Sequence, residues 1–311
     1  MRRLLMLFVA LLIGGAVLSW IAGSQLVAPT QYVVAPPANL DARSVKLPLE
    51  HGRSVAGWFV PGKGKGAILL LHGIRADRRQ MLGRVGFLAA AGYSVLLIDL
   101  PGHGASAAPA ITFGLHEAQG VQAALTYLHK HAPQQPLGVI GVSLGAASFM
   151  LCKTCPQVDA VVLESMYPTI EEAVEDRLRQ RAGVLAMPLS KLLLWQLPLR
   201  LHIEARQLRP IDAMAGLTMP VLVASGDQDQ HTTIIETRRI FAQAPQPKVL
   251  WEVAGAAHVD LHRYAPAAYE ARVTDFFANS FAARTALVSA PSAPYTRSAT
   301  AAAAPAPPVP R

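Results

Sequence analysis

Residues 137–148 read LGVIGVSLGAAS and contain the pattern G-x-S-x-G as Gly141, Val142, Ser143, Leu144 and Gly145. A serine hydroxyl attacks a carbonyl only when a base takes its proton and positioned donors hold the developing oxyanion. An apolar run enters the pentapeptide and small, helix-compatible residues leave it, which predicts a sharp strand-to-helix turn. Such a turn exposes the hydroxyl and aims the amides of the new helix at the charge, while glycines on either side make room for the crowded backbone. Glycine and serine are also common in ordinary turns, so the pentapeptide gains weight from what accompanies it. SGDQDQ follows the apolar run MPVLVAS (219–225) and offers Asp227 and Asp229, and AGAAHVD follows KVLWEV (248–253) and offers His258. His72-Gly73 closes AILLLH (67–72), placing the Ile74 amide where it can pair with that of Leu144 as an oxyanion hole. A nucleophile, an acid and a base therefore occur in that order, each just past an apolar run.

The intervening segments predict the scaffold. VKLPLE (45–50) and VAGWFVP (55–61) read as a hairpin, and AILLLH, YSVLLID (93–99), residues 137–142, VDAVVLE (158–164), MPVLVAS and KVLWEV read as buried strands. Helical stretches at 80–91, 116–131 and 143 to about 153 separate them. Apolar runs of this length alternating with helices indicate an α/β fold whose mainly parallel sheet is covered on both faces. Ligands of such sheets bind at the carboxyl ends of the strands, where Ser143, Asp229 and His258 fall.

On these stretches the chain resembles an α/β-hydrolase over about residues 45–280. The matching segments are LLLHGIRADR (69–78), LLIDLPGHGAS (96–106), GVIGVSLGAAS (138–148), PVLVASGDQDQHT (220–232) and GAAHVDL (255–261). The resemblance is to the serine-aminopeptidase-like and prolyl-oligopeptidase-like branch. It implies Ser143 as nucleophile, His258 as base and Asp229 as acid, Asp229 fitting the G-x-x-D placement after Gly226 better than Asp227. The implied activity is two-step acyl transfer without metal or organic cofactor. The expected reaction is hydrolysis of carboxylic esters on a small-molecule substrate. An amidase or peptidase of the serine-aminopeptidase type and a non-catalytic scaffold on the same fold are the competing readings.

The organisation around this body is also legible. Of the 28 Lys and Arg, 23 lie in residues 41–281 together with all 20 Asp and Glu, a net of +3 against +8 for the chain, and no basic run of nucleic-acid type appears. Arg2 and Arg3 precede a stretch, Leu4 to Ala22, that is almost continuously apolar. As a helix it spans about 28 Å, close to the hydrocarbon thickness of a bilayer. Residues 1–24 are thus expected to be a transmembrane anchor or a signal peptide, with the paired arginines inside and the body periplasmic, or secreted after cleavage. Residues 25–43 read as an extended linker, 44–281 as the catalytic domain, and 282–311, rich in Ala and Pro, as a disordered tail.

Residues 169–210 interrupt the strand rhythm and predict a small helical cap, split by Pro188 and Pro198, whose leucines and Trp195 line an acyl pocket or touch the membrane. Arg75, Asp77, Arg78 and Arg79 are expected at a solvated helix start, the competing role being to bind an acidic substrate group. The alternation His258, Asp260, His262 has metal-ligand residue types, but a base with incidental neighbours accounts for it better. His103 is expected to be structural or pocket-lining, and Asp99 to bond nearby backbone. Cys152 and Cys155, in C-K-T-C without a second pair, are expected as two separate thiols at a helix end, a disulfide in an oxidising compartment being the alternative.

Overall fold

The computed structural model describes residues 1–37 and 40–289. Helix α1 (Arg2–Val27) leads into a short strand β1 (Thr30–Gln31), then the hairpin β2 (Arg43–Pro48) and β3 (Ser54–Val60). The body continues with β4 (Ala67–Leu71), α2 (Leu82–Ala90), β5 (Ser94–Ile98), the short β6 (His103–Gly104), α3 (Glu117–His131), β7 (Leu137–Val142), α4 (Leu144–Met150) and β8 (Ala160–Glu164). Three helices follow, α5 (Ile170–Ala182), α6 (Ala186–Leu194) and α7 (Leu197–Leu201), before β9 (Val221–Gly226), α8 (Ile234–Gln243), β10 (Lys248–Val253), α9 (Leu261–Tyr264) and α10 (Pro266–Ser289).

Eight strands form one sheet in the order β10-β9-β8-β7-β4-β5-β3-β2. The pairs β2–β3 and β3–β5 are antiparallel, and every other pair is parallel. Side chains alternate across each strand. Leu69 and Leu71 of β4 enter the core shared with Val121, Leu125 and Ile240 of α3 and α8, while Ile68 and Leu70 enter the core shared with Val85 of α2 and Val273 and Phe277 of α10. Burial on both faces explains why β4, β5, β7 and β8 read as unbroken apolar runs. Each fully buried leucine or isoleucine contributes roughly 1.5–3 kcal/mol of transfer free energy.

The cap is helical as expected, and its helices break just before each of the two prolines. Pro188 lies in the first turn of α6 and Pro198 at the start of α7, where the missing amide is not needed. Thr169 caps α5 by accepting from the Glu172 amide. Phe113, Ile170, Val174, Leu197, Ile203 and Leu208 form a separate small core beneath these helices.

Three expectations need correction. Residues 25–43 are not a free linker: α1 runs through Val27, β1 pairs in parallel with β6, Tyr32 bonds the Asp77 carboxylate, and Val34 is buried. The apolar spacing of the tail hid a helix, since α10 continues eight residues past the boundary set at 281, its Phe281 buried against Tyr93; residues 290–311 of that tail lie outside the described residues. Cys152 and Cys155 are joined in a disulfide, because α4 ends at Met150 and the C-K-T-C segment turns, bringing the two Cα atoms to 5.4 Å.

One buried network ties the sheet to the loops above it. Arg84 of α2 is wholly buried, and its Nη2 lies 2.7 Å from Glu164 Oε2 and 2.9 Å from Asp260 Oδ1. Its Nε donates to the Tyr269 hydroxyl at 2.8 Å, and that hydroxyl donates to Glu164. Burial opposes the Arg84 charge, but the surrounding Glu164, Tyr269 and Asp260 outweigh it and raise its pKa well above the ordinary value. Removing one member leaves a charge stranded without water. Arg84→Met should therefore lower the unfolding free energy by about 3–5 kcal/mol in urea titrations, and Arg84→Met/Glu164→Gln should recover at least about 1 kcal/mol of that loss. Equal stability of Arg84→Met and the parent would show that the pair carries no structural weight.

Candidate active site

The turn after β7 is as tight as its glycines demand. Ser143 has φ 49 and ψ −108, a strained conformation for a residue with a side chain. A Cβ at Gly141 would stand 2.6 Å from the Ala146 nitrogen, and one at Gly145 would stand 2.5 Å from the Leu71 carbonyl oxygen. Strand β4 and helix α4 can pack this closely only where both positions lack a side chain. Ser143 N–H donates to the Glu164 carbonyl at 2.8 Å, so the neighbouring strand holds the turn in place. The hydroxyl does not face bulk water as a plain exposed turn would. Ser143 is 5% exposed and lies at a cavity of about 220 Å³ beneath the cap.

Asp229 and His258 follow the carboxyl ends of β9 and β10, two strands that pair in parallel. His258 Nδ1 is 2.8 Å from Asp229 Oδ2. Asp229 Oδ1 accepts from the amides of His231 at 2.8 Å and Thr232 at 2.9 Å. Burial favours the neutral acid, but the His258 hydrogen bond and the two amides outweigh it and hold the Asp229 carboxyl below its ordinary pKa. An ionised carboxylate can only accept, so Nδ1 of His258 carries the proton and donates it. Nε2 is then the free lone pair of the imidazole. Among the described residues the Ser143 hydroxyl makes no hydrogen bond and the His258 ring makes none besides that to Asp229. Asp227 is occupied elsewhere, its Oδ1 accepting from the Gly255 amide at 2.7 Å.

Ile74 and Leu144 line the same cavity as Ser143. Leu144 is the first residue of α4, where an amide has no partner in the preceding helix turn. Among the described residues neither amide donates to the protein, so both are free to meet an oxygen in the cavity. Beneath them His72 is fixed from both sides. Its Nε2 accepts from the Leu100 amide at 2.9 Å, which leaves Nδ1 to donate to the Gly73 carbonyl at 2.7 Å. Gly73 N–H in turn donates to Gln80 Oε1 at 2.7 Å, which sets the course of the loop.

The charged run after this loop is a helix start only partly solvated: Arg75 and Arg79 are exposed, Asp77 and Arg78 are buried, and Arg75 alone of the four lines the cavity. Arg78 is buried, 2.8 Å from Asp99 Oδ2 and with its guanidinium 4.3 Å above the Trp58 ring. Asp77 caps the following turn through the Arg79 amide, and Arg75 donates to carbonyls at the end of α1. Asp99 accepts also from the Ala105 amide at 2.7 Å. His103 is buried, its Nδ1 3.1 Å from the Pro101 carbonyl, and it stands apart from the cavity. Asp260 caps α9 and pairs with Arg84, while His262 Nε2 pairs with Glu270 at 2.9 Å, so Asp260 and His262 are engaged by different partners. Arg84, Glu164 and Tyr269 were not visible as site residues in the sequence. The one available signal was Glu164, a carboxylate ending an otherwise apolar strand.

Such a sheet, with its tight serine turn, its cap and a carboxylate-oriented histidine at the strand ends, is the α/β-hydrolase fold. The family model described as serine aminopeptidase S33 (Hydrolase_4) matches residues 62–215. Among curated proteins the chain is 22% identical over 246 residues to the uncharacterized protein YqkD of Bacillus subtilis, covering 78% of this chain and 81% of that one. It is 28% identical over 226 residues to the uncharacterized protein Rv2307c of Mycobacterium tuberculosis, covering 70% and 73%. Among solved structures, the Pyrococcus furiosus esterase Pf2001 superposes with a TM-score of 0.69 at 20% identity over 82% of this chain and 98% of that one. A thermophilic esterase from Thermogutta terrifontis gives 0.57 at 17% identity over 77% and 100%.

The His72 ring offers a test of this architecture. Burial lowers its pKa from 6.5 to about 4. A histidine kept neutral in the fold contributes stability that is fully present above the unfolded pKa and is lost as pH falls through the folded one. Urea unfolding between pH 7 and 4 should therefore show a decline to which His72 alone contributes up to about 3 kcal/mol. Stability that stays flat over that window would contradict a buried neutral imidazole.

Proposed function

We propose that the protein is a serine hydrolase that cleaves carboxylic esters. His258 Nε2 takes the Ser143 proton as the hydroxyl attacks the ester carbonyl. Asp229 holds the imidazole in the tautomer that leaves Nε2 free, and its charge stabilises the imidazolium. The Ile74 and Leu144 amides receive the oxyanion of the tetrahedral intermediate. His258 then returns the proton to the leaving alcohol, and water resolves the acyl-enzyme by the same route. The observation that carries this reading is the His258–Asp229 bond, made by an ionised carboxylate with two further amide donors after the ends of β9 and β10, in the same sheet whose β7 ends at Ser143 and a cavity lined by Ser143, Ile74 and Leu144.

The serine aminopeptidase match favours a second reading, an amidase or peptidase. The lining of the cavity speaks against substrates with a free amine. Among the described residues it includes Arg75, Arg177 and Arg181 and no Asp or Glu, so these offer a substrate ammonium no counter-charge. A scaffold role without catalysis leaves the strained Ser143 backbone without a purpose. A periplasmic body is part of this proposal; the N-terminal helix with its paired arginines supports it, as does the Cys152–Cys155 disulfide, which suits an oxidising compartment.

Ser143→Ala should abolish labelling by a fluorophosphonate probe and lower turnover of p-nitrophenyl esters by about 10⁴-fold or more, with an unchanged circular dichroism spectrum. Labelling at the parent rate would refute the nucleophile. Assayed in parallel, aminoacyl anilides should be turned over far more slowly than the esters; the reverse order would favour the peptidase. Asp229→Asn should cost on the order of 10⁴-fold in turnover at neutral pH. Asp227→Asn, which loses only a loop bond, should stay within about tenfold of the parent. An exchange of these two phenotypes would make Asp227 the acid.

A further inference from the structure

The N-terminal helix is built into the candidate active site. Its last turn reaches the cavity, where Leu26 forms part of the wall together with Ile74, Leu178 and Leu193. Arg75, the neighbour of Ile74 in the oxyanion loop, reaches back with its guanidinium to the carbonyls of Gln25 and Leu26, the latter at 3.2 Å. A cation there meets the negative end of the helix dipole. From the other side the cap grips the same turns. Gln196 Nε2 donates to Ser19 Oγ at 2.8 Å, Arg200 Nη1 donates to Ser24 Oγ at 2.8 Å, and the Arg200 guanidinium lies 3.8 Å over the Trp20 ring. Gly23 permits the approach, since a Cβ there would meet Arg200 Nε at 3.0 Å.

These contacts fix a depth. Helix α1 is long and apolar enough to cross a bilayer, and Leu4 to Ile21 alone covers about 27 Å of it. When α1 spans, Ser19 to Ser24 lie where the helix leaves the hydrocarbon, with Trp20 at the interfacial level that tryptophan favours. Gln196 and Arg200 touch those residues and so share their depth. The cap helices that carry them expose a run of apolar side chains: Val184, Leu185, Met187, Trp195 and Leu199 are 94, 59, 52, 69 and 57% exposed. Clustered apolar exposure of this kind is unusual on a surface that faces water. Lys191 and Arg200 lie among them, cations on long stems that suit a headgroup layer. Most of the side chains lining the cavity behind this surface are apolar, among them Leu26, Phe113 and Leu193, with Arg75, Arg177 and Arg181 as its cations.

We propose that α1 and the cap form one bilayer-facing surface onto which the Ser143 cavity opens, and that the substrate is a long-chain acyl ester held in the membrane. The acyl chain enters along Leu26 and Leu193 and brings its ester to Ser143, so α1 is a permanent wall of the site. The substrate class rests on the ester-hydrolase reading above; the bilayer contact does not.

Two measurements on the full-length chain in phosphatidylcholine vesicles separate the two. First, Leu199→Cys carrying an environment-sensitive fluorophore should be quenched by lipids with brominated acyl chains, whereas the same probe on Lys130→Cys in α3 should not. Absence of quenching at 199 would overturn the bilayer contact, as would protection of that probe by a second copy in lipid-free detergent. Second, Trp195→Ser/Leu199→Ser changes two side chains outside the cavity. It should slow hydrolysis of a vesicle-borne monooleoyl ester by about tenfold, the scale set by removing two apolar anchors, and leave p-nitrophenyl acetate turnover unchanged. Equal rates on both substrates, or an equal loss on both, would overturn the membrane-borne substrate. Undiminished turnover in Ser143→Ala would instead remove the hydrolase reading, and the quenching result would still decide the surface.

Discussion

The guanidinium of Arg84 joins segments that the chain brings from far apart. Glu164 ends β8, and its backbone carbonyl holds the Ser143 amide while its carboxylate holds Arg84. Arg84 also binds Asp260, two residues beyond His258, and Tyr269 of α10 closes the ring. The serine turn and the histidine loop are therefore referred to one another through a single buried charge. Desolvating such a cluster is costly, and an apolar replacement of the same shape could be as stable. What the network supplies is a unique arrangement: Glu164, Asp260 and Tyr269 satisfy Arg84 together only when the loops stand in one relative position.

A second buried pair does comparable work at the other edge of the site. Arg78 and Asp99 bond beneath the loop that carries Ile74, and Arg78 Nη2 also donates to the Val34 carbonyl at 3.0 Å. The loop that carries Ile74 is thus bounded by Arg75 on α1, by Gln80 on Gly73 and by Arg78 on Asp99. Preorganised amides are worth more than mobile ones because they need not reorient as charge develops. In this chain the rigidity comes from Gln80 and Arg78, which lie outside the cavity lining, and from Arg75, which is part of it.

The segment between α1 and the body turns out to be structural. With β1 paired to β6 and Tyr32 on Asp77, it transmits the position of the N-terminal helix to the base of the loop that carries Ile74. A helix tethered by a free linker could drift relative to the site. One held by Gln196, Arg200 and Arg75 cannot, and the cavity wall at Leu26 depends on that attachment.

The sequence by itself determined what depends on near neighbours. Apolar runs bounded by turns located the strands, because a strand buried on both faces must be apolar at every position. The spacing of Gly141, Ser143 and Gly145 located the tight turn, because only glycine tolerates 2.5–2.6 Å clearances there. Asp229 could be preferred to Asp227 from its place in the loop. Tertiary structure decided everything that turns on a distant partner. Arg84 and Glu164 are 80 residues apart, and nothing local marks Arg84 as buried rather than solvated. Arg78 looked like any surface arginine until Asp99 and Trp58 enclosed it. Residues 25–37 have little intrinsic preference, so their pairing with β6 and Asp77 decided their course. The cysteines read as separate thiols because C-K-T-C has no second pair beside it, and only the fold past the end of α4 shows the two sulfurs joined. Charge, burial and pairing are settled between elements, and a one-dimensional pattern records each partner without recording the encounter.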